Sequence, residues 1–173
     1  MVSMDKRVCA GAVLVAALGL SGCTSLTMGD QYVFPRADEP SATVRVLDDG
    51  VTDLKIMNLN PAGCYAGYTP LPAKDGFVQA QVAVGKPLIV DYRREVFGGA
   101  CRMFFAVTPE AGATYTLKTG SWTQPKTGIL PIFTSDQTYC GLGAIKTLGE
   151  QQSIEPIEKM RIDTGITCHK FVK

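Results

Sequence analysis

Residues 78–84 read Val-Gln-Ala-Gln-Val-Ala-Val and place an aliphatic side chain at every even-numbered position. A period of two is the spacing of a β-strand, in which successive side chains point to opposite faces. The same alternation occurs at Val44 and Val46, and again from Met103 to Val107. These stretches predict strands that have one apolar face and one mixed face.

Further apolar runs predict seven more strands, and turn-forming residues separate them. Asp48-Asp49-Gly50, for example, predicts an Asx-type turn. Short strands at this spacing predict an all-β domain with the architecture of an antiparallel β-sandwich or barrel. The stretch 146–156 fits either a loop or one short helix. The additional predicted strands are 54–57, 88–92, 114–119, 129–134, 139–145, 158–162 and 166–171.

The first 22 residues have the organisation of a signal peptide. Lys6 and Arg7 precede an uncharged core, residues 8–20, whose length is within the range of about 7–15 residues typical of such cores. The core is shorter than the roughly 20 residues that a membrane-spanning helix needs. It ends in Leu20-Ser21-Gly22-Cys23, which resembles the lipobox of bacterial lipoprotein precursors.

The lipobox resemblance implies cleavage before Cys23 and acyl chains on the sulfur and amine of that residue. Two or more chains give stable membrane anchoring where one does not. The alternatives are an ordinary secretory signal that is cut elsewhere, or an uncleaved anchor. Thr24 follows the cysteine, where lipoproteins retained in the inner membrane commonly carry Asp. The resemblance therefore implies lipid anchoring at the periplasmic face of the outer membrane.

This interpretation divides the chain into three parts. Residues 1–22 are the signal peptide, residues 23–41 the lipidated N-terminus and a flexible tether, and residues 42–173 one β-sandwich domain. Within the tether, residues 32–34 are expected either to remain flexible or to dock as an extra strand. Loss of the signal peptide leaves 15 basic and 15 acidic residues. A balanced chain lacks the basic face that binds phosphate backbones, so nucleic acid is not an expected partner.

The cysteine count is consistent with an oxidising compartment. Cys9 leaves with the signal peptide and Cys23 carries lipid, so an even number remains to form disulfides. Those remaining are Cys64, Cys101, Cys140 and Cys168. Of the three possible connectivities, we favour Cys64–Cys101 with Cys140–Cys168, because the partners of each pair are adjacent in the chain. A metal site formed by these thiols and His169 is the alternative, but the spacing of the ligands does not support it. We expect neither metal nor cofactor.

Residues 109–115, Pro-Glu-Ala-Gly-Ala-Thr-Tyr, resemble the turn that enters a late strand of fibronectin-like sandwiches. In those proteins a tyrosine corner ties the hydroxyl back to upstream backbone. The resemblance implies a transthyretin- or fibronectin-like sandwich and assigns that role to Tyr115; the alternative is an ordinary core tyrosine after a glycine turn. More widely, residues 85–117 look like short cysteine-containing lipoproteins of Gram-negative envelopes. That class has no common assigned activity, so it implies no catalytic residues.

The sequence contains no motif that predicts catalysis. His169 is the only histidine, and no serine lies in a Gly-x-Ser-x-Gly turn. Gly141-Leu142-Gly143 lacks the third glycine of a dinucleotide-binding loop. The charged stretch 91–95, Asp-Tyr-Arg-Arg-Glu, fits a solvated strand end better than a ligand site. We therefore expect a protein that is not an enzyme.

The function is then expected to reside on a surface. Trp122, in a loop-like setting, and Tyr65 and Tyr68, beside Cys64, are candidate anchors for a partner. Alternatively, these rings cap the ends of the core. The expected function is partner recognition or envelope structure, with another envelope protein or peptidoglycan as partner. The alternative is a small-ligand binder or an inhibitor of a cell-wall-degrading enzyme. A pocket lined by these aromatic residues would favour ligand binding, a protruding loop inhibition, and an unpaired strand edge protein association.

Overall fold

The computed structural model describes residues 29–96, 99–127 and 134–173. In these ranges every regular element is a β-strand. The predicted signal peptide, Cys23 and most of the strand predicted at 129–134 lie outside the described residues. The strands are β1 (Ser41–Leu47), β2 (Thr52–Leu59), β3 (Tyr65–Pro70), β4 (Ala73–Lys74), β5 (Phe77–Ala83), β6 (Leu88–Val96), β7 (Gly99–Val107), β8 (Thr114–Thr127), β9 (Thr134–Leu148), β10 (Gln151–Glu155), β11 (Glu158–Thr164) and β12 (His169–Val172).

Two six-stranded sheets pack together as a sandwich. Sheet I has the strand order β10-β9-β8-β1-β5-β4, and sheet II has the order β12-β11-β7-β6-β2-β3. Neighbouring strands are antiparallel apart from β1 and β8, which run parallel. The prediction of an all-β sandwich with mainly antiparallel pairing is therefore confirmed.

The core lies between the sheets and is built from the apolar faces that the alternation predicted. Val44 of β1 and Val82 of β5 are fully buried on sheet I. Sheet II contributes side chains such as Ile56 and Phe105, which are also buried. Burial of one large apolar side chain contributes about 1.5–3 kcal/mol, so these alternate positions supply much of the stability of the sandwich.

The turn between β7 and β8 contains the predicted tyrosine corner. Tyr115 is buried, and its hydroxyl accepts a hydrogen bond from the Glu110 N–H at 3.1 Å and donates one to the Thr108 carbonyl at 3.4 Å. Gly112 has a φ of +75°, a conformation that suits glycine in this turn. The role predicted for Tyr115 is confirmed.

The disulfides join strands that are distant in the chain. Cys64 bonds to Cys168 and Cys101 to Cys140, with Cα separations of 5.2 and 6.0 Å. The preferred pairing, Cys64–Cys101 with Cys140–Cys168, is therefore wrong. Cys101 on β7 is buried in the core and meets Cys140 on β9 of the other sheet. The positions of the strands in the two sheets, rather than proximity in the chain, determine which cysteines form disulfides.

The stretch 146–156 is neither the loop nor the helix that the sequence predicted. β9 continues to Leu148, and β10 pairs back along it, with Ile154 opposite Ile145. The turn uses Gly149 at a φ of +58°. Residues 151–155 lack an apolar period, so their strand conformation depends on backbone pairing with β9.

Part of the predicted tether is attached to the domain. The hydroxyl of Tyr32 accepts a hydrogen bond from the Ala83 N–H at 2.8 Å, and the Tyr32 N–H donates to Thr69 Oγ1 at 2.6 Å. Gly29 forms an isolated β-bridge with Gly67. Residues 29–34 thus contact both sheets without forming the extra strand that was one of the two expectations.

Candidate functional site

Sheet II curls until its two edges meet. β3 and β12 are the outermost strands of this six-stranded sheet. At about 4.8 Å per strand, a flat sheet would hold these edges roughly 24 Å apart. The Cys64–Cys168 disulfide, immediately before β3 and β12, instead brings the two Cα atoms to 5.2 Å. The face of sheet II that points away from sheet I therefore encloses a groove.

The β11–β12 hairpin closes this groove. β11 pairs with β7 along residues 158–160 only, whereas its residues 161–164 pair with β12. The far end of the hairpin is thus free to leave the edge of β7. It approaches β3, where Phe171 of β12 contacts the ring of Tyr65 at a centroid distance of 6.4 Å.

The groove has a volume of about 390 Å³, and all six strands of sheet II contribute to its lining. This volume is at the lower end of the range of about 300–1,000 Å³ found for small-molecule sites. The side chains that give it its chemical character are Lys55, Tyr65, Tyr68, Asp91, Phe104 and Phe171.

The mixed faces of the strands line the groove, as their period of two requires. Lys55 and Met57 of β2 line it, whereas the intervening Ile56 is buried in the core. Phe104 of β7 likewise lines it beside the core residue Phe105. The alternation that builds the core on one side of sheet II therefore builds the groove on the other side.

A β-bulge brings both predicted tyrosines to the groove. Tyr65 and Tyr68 are three positions apart, so in a regular strand they would face opposite sides. The register between β2 and β3 shifts at Asn58 and Leu59, where Gly67 and then Tyr65 are the partners. The extra residue in β3 turns the following side chains to the opposite face of the sheet, as β-bulges do. Tyr65 and Tyr68 therefore share a face, and both rings line the groove.

Aromatic rings form one wall. The Phe171 ring lies 5.3 Å from the Phe104 ring and 6.4 Å from the Tyr65 ring, in tilted and edge-on arrangements. Partial burial is the main cause that raises the pKa of Tyr65 above its ordinary value of 10.0, and the neighbouring Tyr68 adds to it. The Tyr65 phenol is therefore protonated at neutral pH and available as a hydrogen-bond donor.

An ion pair forms another part of the lining. Asp91 is only 2% exposed and accepts two hydrogen bonds from Arg102, at 2.9 Å from Nε and 2.8 Å from Nη2. The hydrogen bond with Asp91 is the main cause that raises the pKa of Arg102, whose guanidinium lies 4.7 Å from the Phe104 ring centroid. The prediction of a solvated strand end for residues 91–95 is wrong for Asp91 and Tyr92, because both side chains are buried, Asp91 in the lining of the groove and Tyr92 in the core.

Lys55 adds a second positive charge. It lies opposite Asp91 in the β2–β6 register, but that carboxylate is held by Arg102. The Lys55 ammonium lies 5.2 Å from the ring centroid of Tyr68. Among the described residues, no carboxylate oxygen lies within 4.0 Å of it. Among the lining Lys, Arg and Asp side chains, the cations therefore outnumber the anions by one.

The remaining predicted residues are placed differently. His169 lines the groove but is exposed, and the Asp91 carboxylate of the same lining is held by Arg102. Trp122, 49% exposed, does not line the groove. It stacks on Tyr139 across the β8–β9 pair, with ring centroids 5.9 Å apart and planes 15° apart. The structure thus joins two of the three predicted surface aromatics in one site and leaves Trp122 outside it.

Comparisons of the chain with protein-family models, with curated proteins and with solved structures find no match. In the ranges that the structure describes, no three or more His, Cys, Asp or Glu side chains form a group able to hold a metal ion. Those same ranges contain no helix with the length and apolar character needed to cross a membrane.

Apart from the two tyrosines, and His169 as the alternative metal ligand, no groove residue was a predicted site residue. Arg102 and Phe104 occupy the alternate positions of a strand whose other positions were assigned to the core, and Lys55 and Asp91 lie within the predicted strands 54–57 and 88–92. That alternation was the available signal, since it marks a polar and aromatic face on β7. Phe171 gave no such signal, because β12 reaches the groove only through the curl of the sheet.

Proposed function

We propose that this chain is a lipid-anchored envelope protein whose β domain binds a small ligand in the groove of sheet II. The observation that carries the proposal is the closure of a curled sheet by the Cys64–Cys168 disulfide around a lined cavity of about 390 Å³. Small-molecule sites are typically preformed, largely apolar concavities with a few polar groups that fix orientation. The aromatic wall, Lys55 and the tyrosine hydroxyls match that description.

The hydrogen bonding and exposure of the polar side chains in the groove favour ligand binding over catalysis. A general base needs access to a substrate proton and a partner that orients it. The Asp91 carboxylate is engaged by two hydrogen bonds from Arg102, and His169 is exposed. These groups support a role for the groove in holding a ligand.

The membrane anchor rests on the sequence of residues 20–23. We expect a labelled fatty acid to be incorporated into the wild-type protein and into a Ser25→Ala control. The Cys23→Ser variant should neither be labelled nor sediment with membranes. Membrane attachment of an unlabelled Cys23→Ser protein would contradict lipidation as the anchor.

Ligand binding is tested by filling the groove. Thr164 lines it, and Ile166 is fully exposed in the turn of the same hairpin and does not line it. We expect a small molecule to be extracted in stoichiometric amount from the wild-type protein and from Ile166→Trp. Thr164→Trp should yield little of it, because the indole occupies the space. Equal recovery from both variants, or none from the wild type, would contradict the proposal.

A second candidate function is partner recognition by the β8–β9 pair. Its support is the exposed, stacked pair of Trp122 and Tyr139, a type of surface that anchors partners. Crosslinking in intact cells tests it. If this surface recognises a partner, Trp122→Ala should lose a crosslinked envelope protein that Thr164→Trp retains. Retention of that protein by Trp122→Ala would contradict this candidate.

A further inference from the structure

We infer that the ligand of the groove is a small organic monoanion with a ring-containing apolar body, and that Lys55 selects its charge. This inference rests on the function proposed above and narrows it to a class of ligand.

The charge of the ligand follows from the Lys, Arg and Asp side chains of the groove. Asp91 and Arg102 neutralise each other in a two-bond ion pair. The ammonium of Lys55 lies over the Tyr68 ring, and among the described carboxylates none is within 4.0 Å of it. One negative charge on the ligand would balance the groove, and a neutral ligand would leave Lys55 without a counterion in a partly enclosed site.

The body of the ligand follows from the aromatic wall. The rings of Tyr65, Phe104 and Phe171 meet at tilted and edge-on angles, so they present both ring faces and ring edges to the cavity. Aromatic groups pack favourably in offset and edge-to-face arrangements with such surfaces. Met57, which also lines the groove, offers a polarisable side chain that adapts to an irregular ring system.

A matched pair of fluorescent probes tests both parts of the inference. The probe 8-anilinonaphthalene-1-sulfonate is a monoanion, and N-phenyl-1-naphthylamine has the same ring body without the sulfonate. The full chain carrying Cys23→Ser is used, so that no attached acyl chains bind the dyes. We expect the anion to bind about tenfold more tightly than the neutral probe, which corresponds to about 1.4 kcal/mol.

Variants of single residues test whether Lys55 causes the preference for the anionic probe. Lys55→Gln should bring the affinity for the anion down to that for the neutral probe, and Lys55→Arg should retain the preference. Lys74→Gln is the matched control, because Lys74 is exposed on β4 of sheet I and does not line the groove. Phe104→Ala should weaken the binding of both probes. Thermal unfolding of each variant verifies that it is folded.

The possible outcomes separate the inference from the function it rests on. Equal affinities for the two probes, or an unchanged preference in Lys55→Gln, would overturn the inference and leave ligand binding in place. Failure of both probes to bind would contradict the proposed function itself.

Vesicles of phosphatidylglycerol test whether a lipid supplies the same chemistry. Displacement of the bound anion by these vesicles would overturn the assignment to a free small molecule, and its retention would support it.

Discussion

The hydroxyl of Tyr115 stabilises the turn between the two sheets with two hydrogen bonds to backbone. In Tyr115→Phe the ring remains and these bonds are lost, which leaves the Glu110 N–H without its partner. We expect a loss of about 1–2 kcal/mol in the free energy of unfolding, measured by urea denaturation. Tyr139→Phe is the control, because that ring is exposed. Its effect should stay within about 0.5 kcal/mol. A loss in Tyr115→Phe no larger than in the control would contradict the role of the tyrosine corner.

Asp49 belongs to the predicted Asx turn, which is confirmed. Its Oδ1 accepts a hydrogen bond from the Val51 N–H at 3.2 Å, and Asp48 Oδ1 accepts one from the Gly50 N–H at 3.0 Å. Burial acts to raise the pKa of Asp49, but hydrogen bonds from Arg94, Thr52 and Val51 together outweigh it. The pKa of Asp49 in the folded protein therefore lies below its ordinary value of 3.8.

This lowered pKa predicts a pH-dependent contribution to stability. The ionised carboxylate is favoured by folding, so the contribution is complete above the unfolded pKa and is lost as the pH falls through the folded pKa. Asp49→Asn should therefore destabilise the protein by up to about 1 kcal/mol at neutral pH and by less at about pH 2.5. Urea denaturation at the two pH values measures the difference, which should shrink in an Arg94→Gln background. A penalty that is the same at both pH values would contradict the account.

The β11–β12 hairpin and its disulfide determine whether the groove is closed. Cys64→Ala/Cys168→Ala should release β12 from β3. We expect faster hydrogen exchange in β12 than in β6 and weaker binding of the anionic probe. In the chain-entropy description, the loss of this bond also costs up to about 4.7 kcal/mol of stability.

Cys101→Ala/Cys140→Ala is the matched control for this prediction. It removes a disulfide that joins the two sheets, at a cost of up to about 4 kcal/mol, and leaves the β3–β12 connection intact. We expect this variant to lose stability while retaining probe affinity under conditions where it is folded. If both double variants lost binding equally, the Cys64–Cys168 disulfide would have no special role at the groove.

The elements also show what the sequence could predict. The alternation in β1, β5 and β7 was sufficient to assign these strands and their core faces, and the apolar runs at 54–57 and 88–92 predicted β2 and β6. β3 and β10 were missed because Tyr-Ala-Gly-Tyr-Thr-Pro and Gln-Gln-Ser-Ile-Glu have no clean period of two, and their conformation depends on pairing with neighbours. Tyr65 and Tyr68 were found by residue type, but only the bulge places them on one face.

The two disulfides have different geometric roles in the molecule. Cys101–Cys140 joins β7 of sheet II to β9 of sheet I, whereas Cys64–Cys168 joins sheet II to itself across 104 positions of the chain. Local periodicity carries no information on a contact of that separation. The curl of sheet II, and with it the groove, could therefore not be predicted from the strand pattern, although Arg102 and Phe104 of its lining were visible on a mixed strand face.

We propose that the face of sheet II pointing away from the core is a ligand site. Amide chemical-shift mapping of the full Cys23→Ser chain with 8-anilinonaphthalene-1-sulfonate tests this proposal. We predict that the largest shifts fall on the strands of sheet II, at Lys55, Tyr68, Phe104 and Phe171, and that Thr164→Trp removes them. Shifts concentrated around Trp122 and Tyr139 on sheet I, or shifts that persist in Thr164→Trp, would contradict the claim.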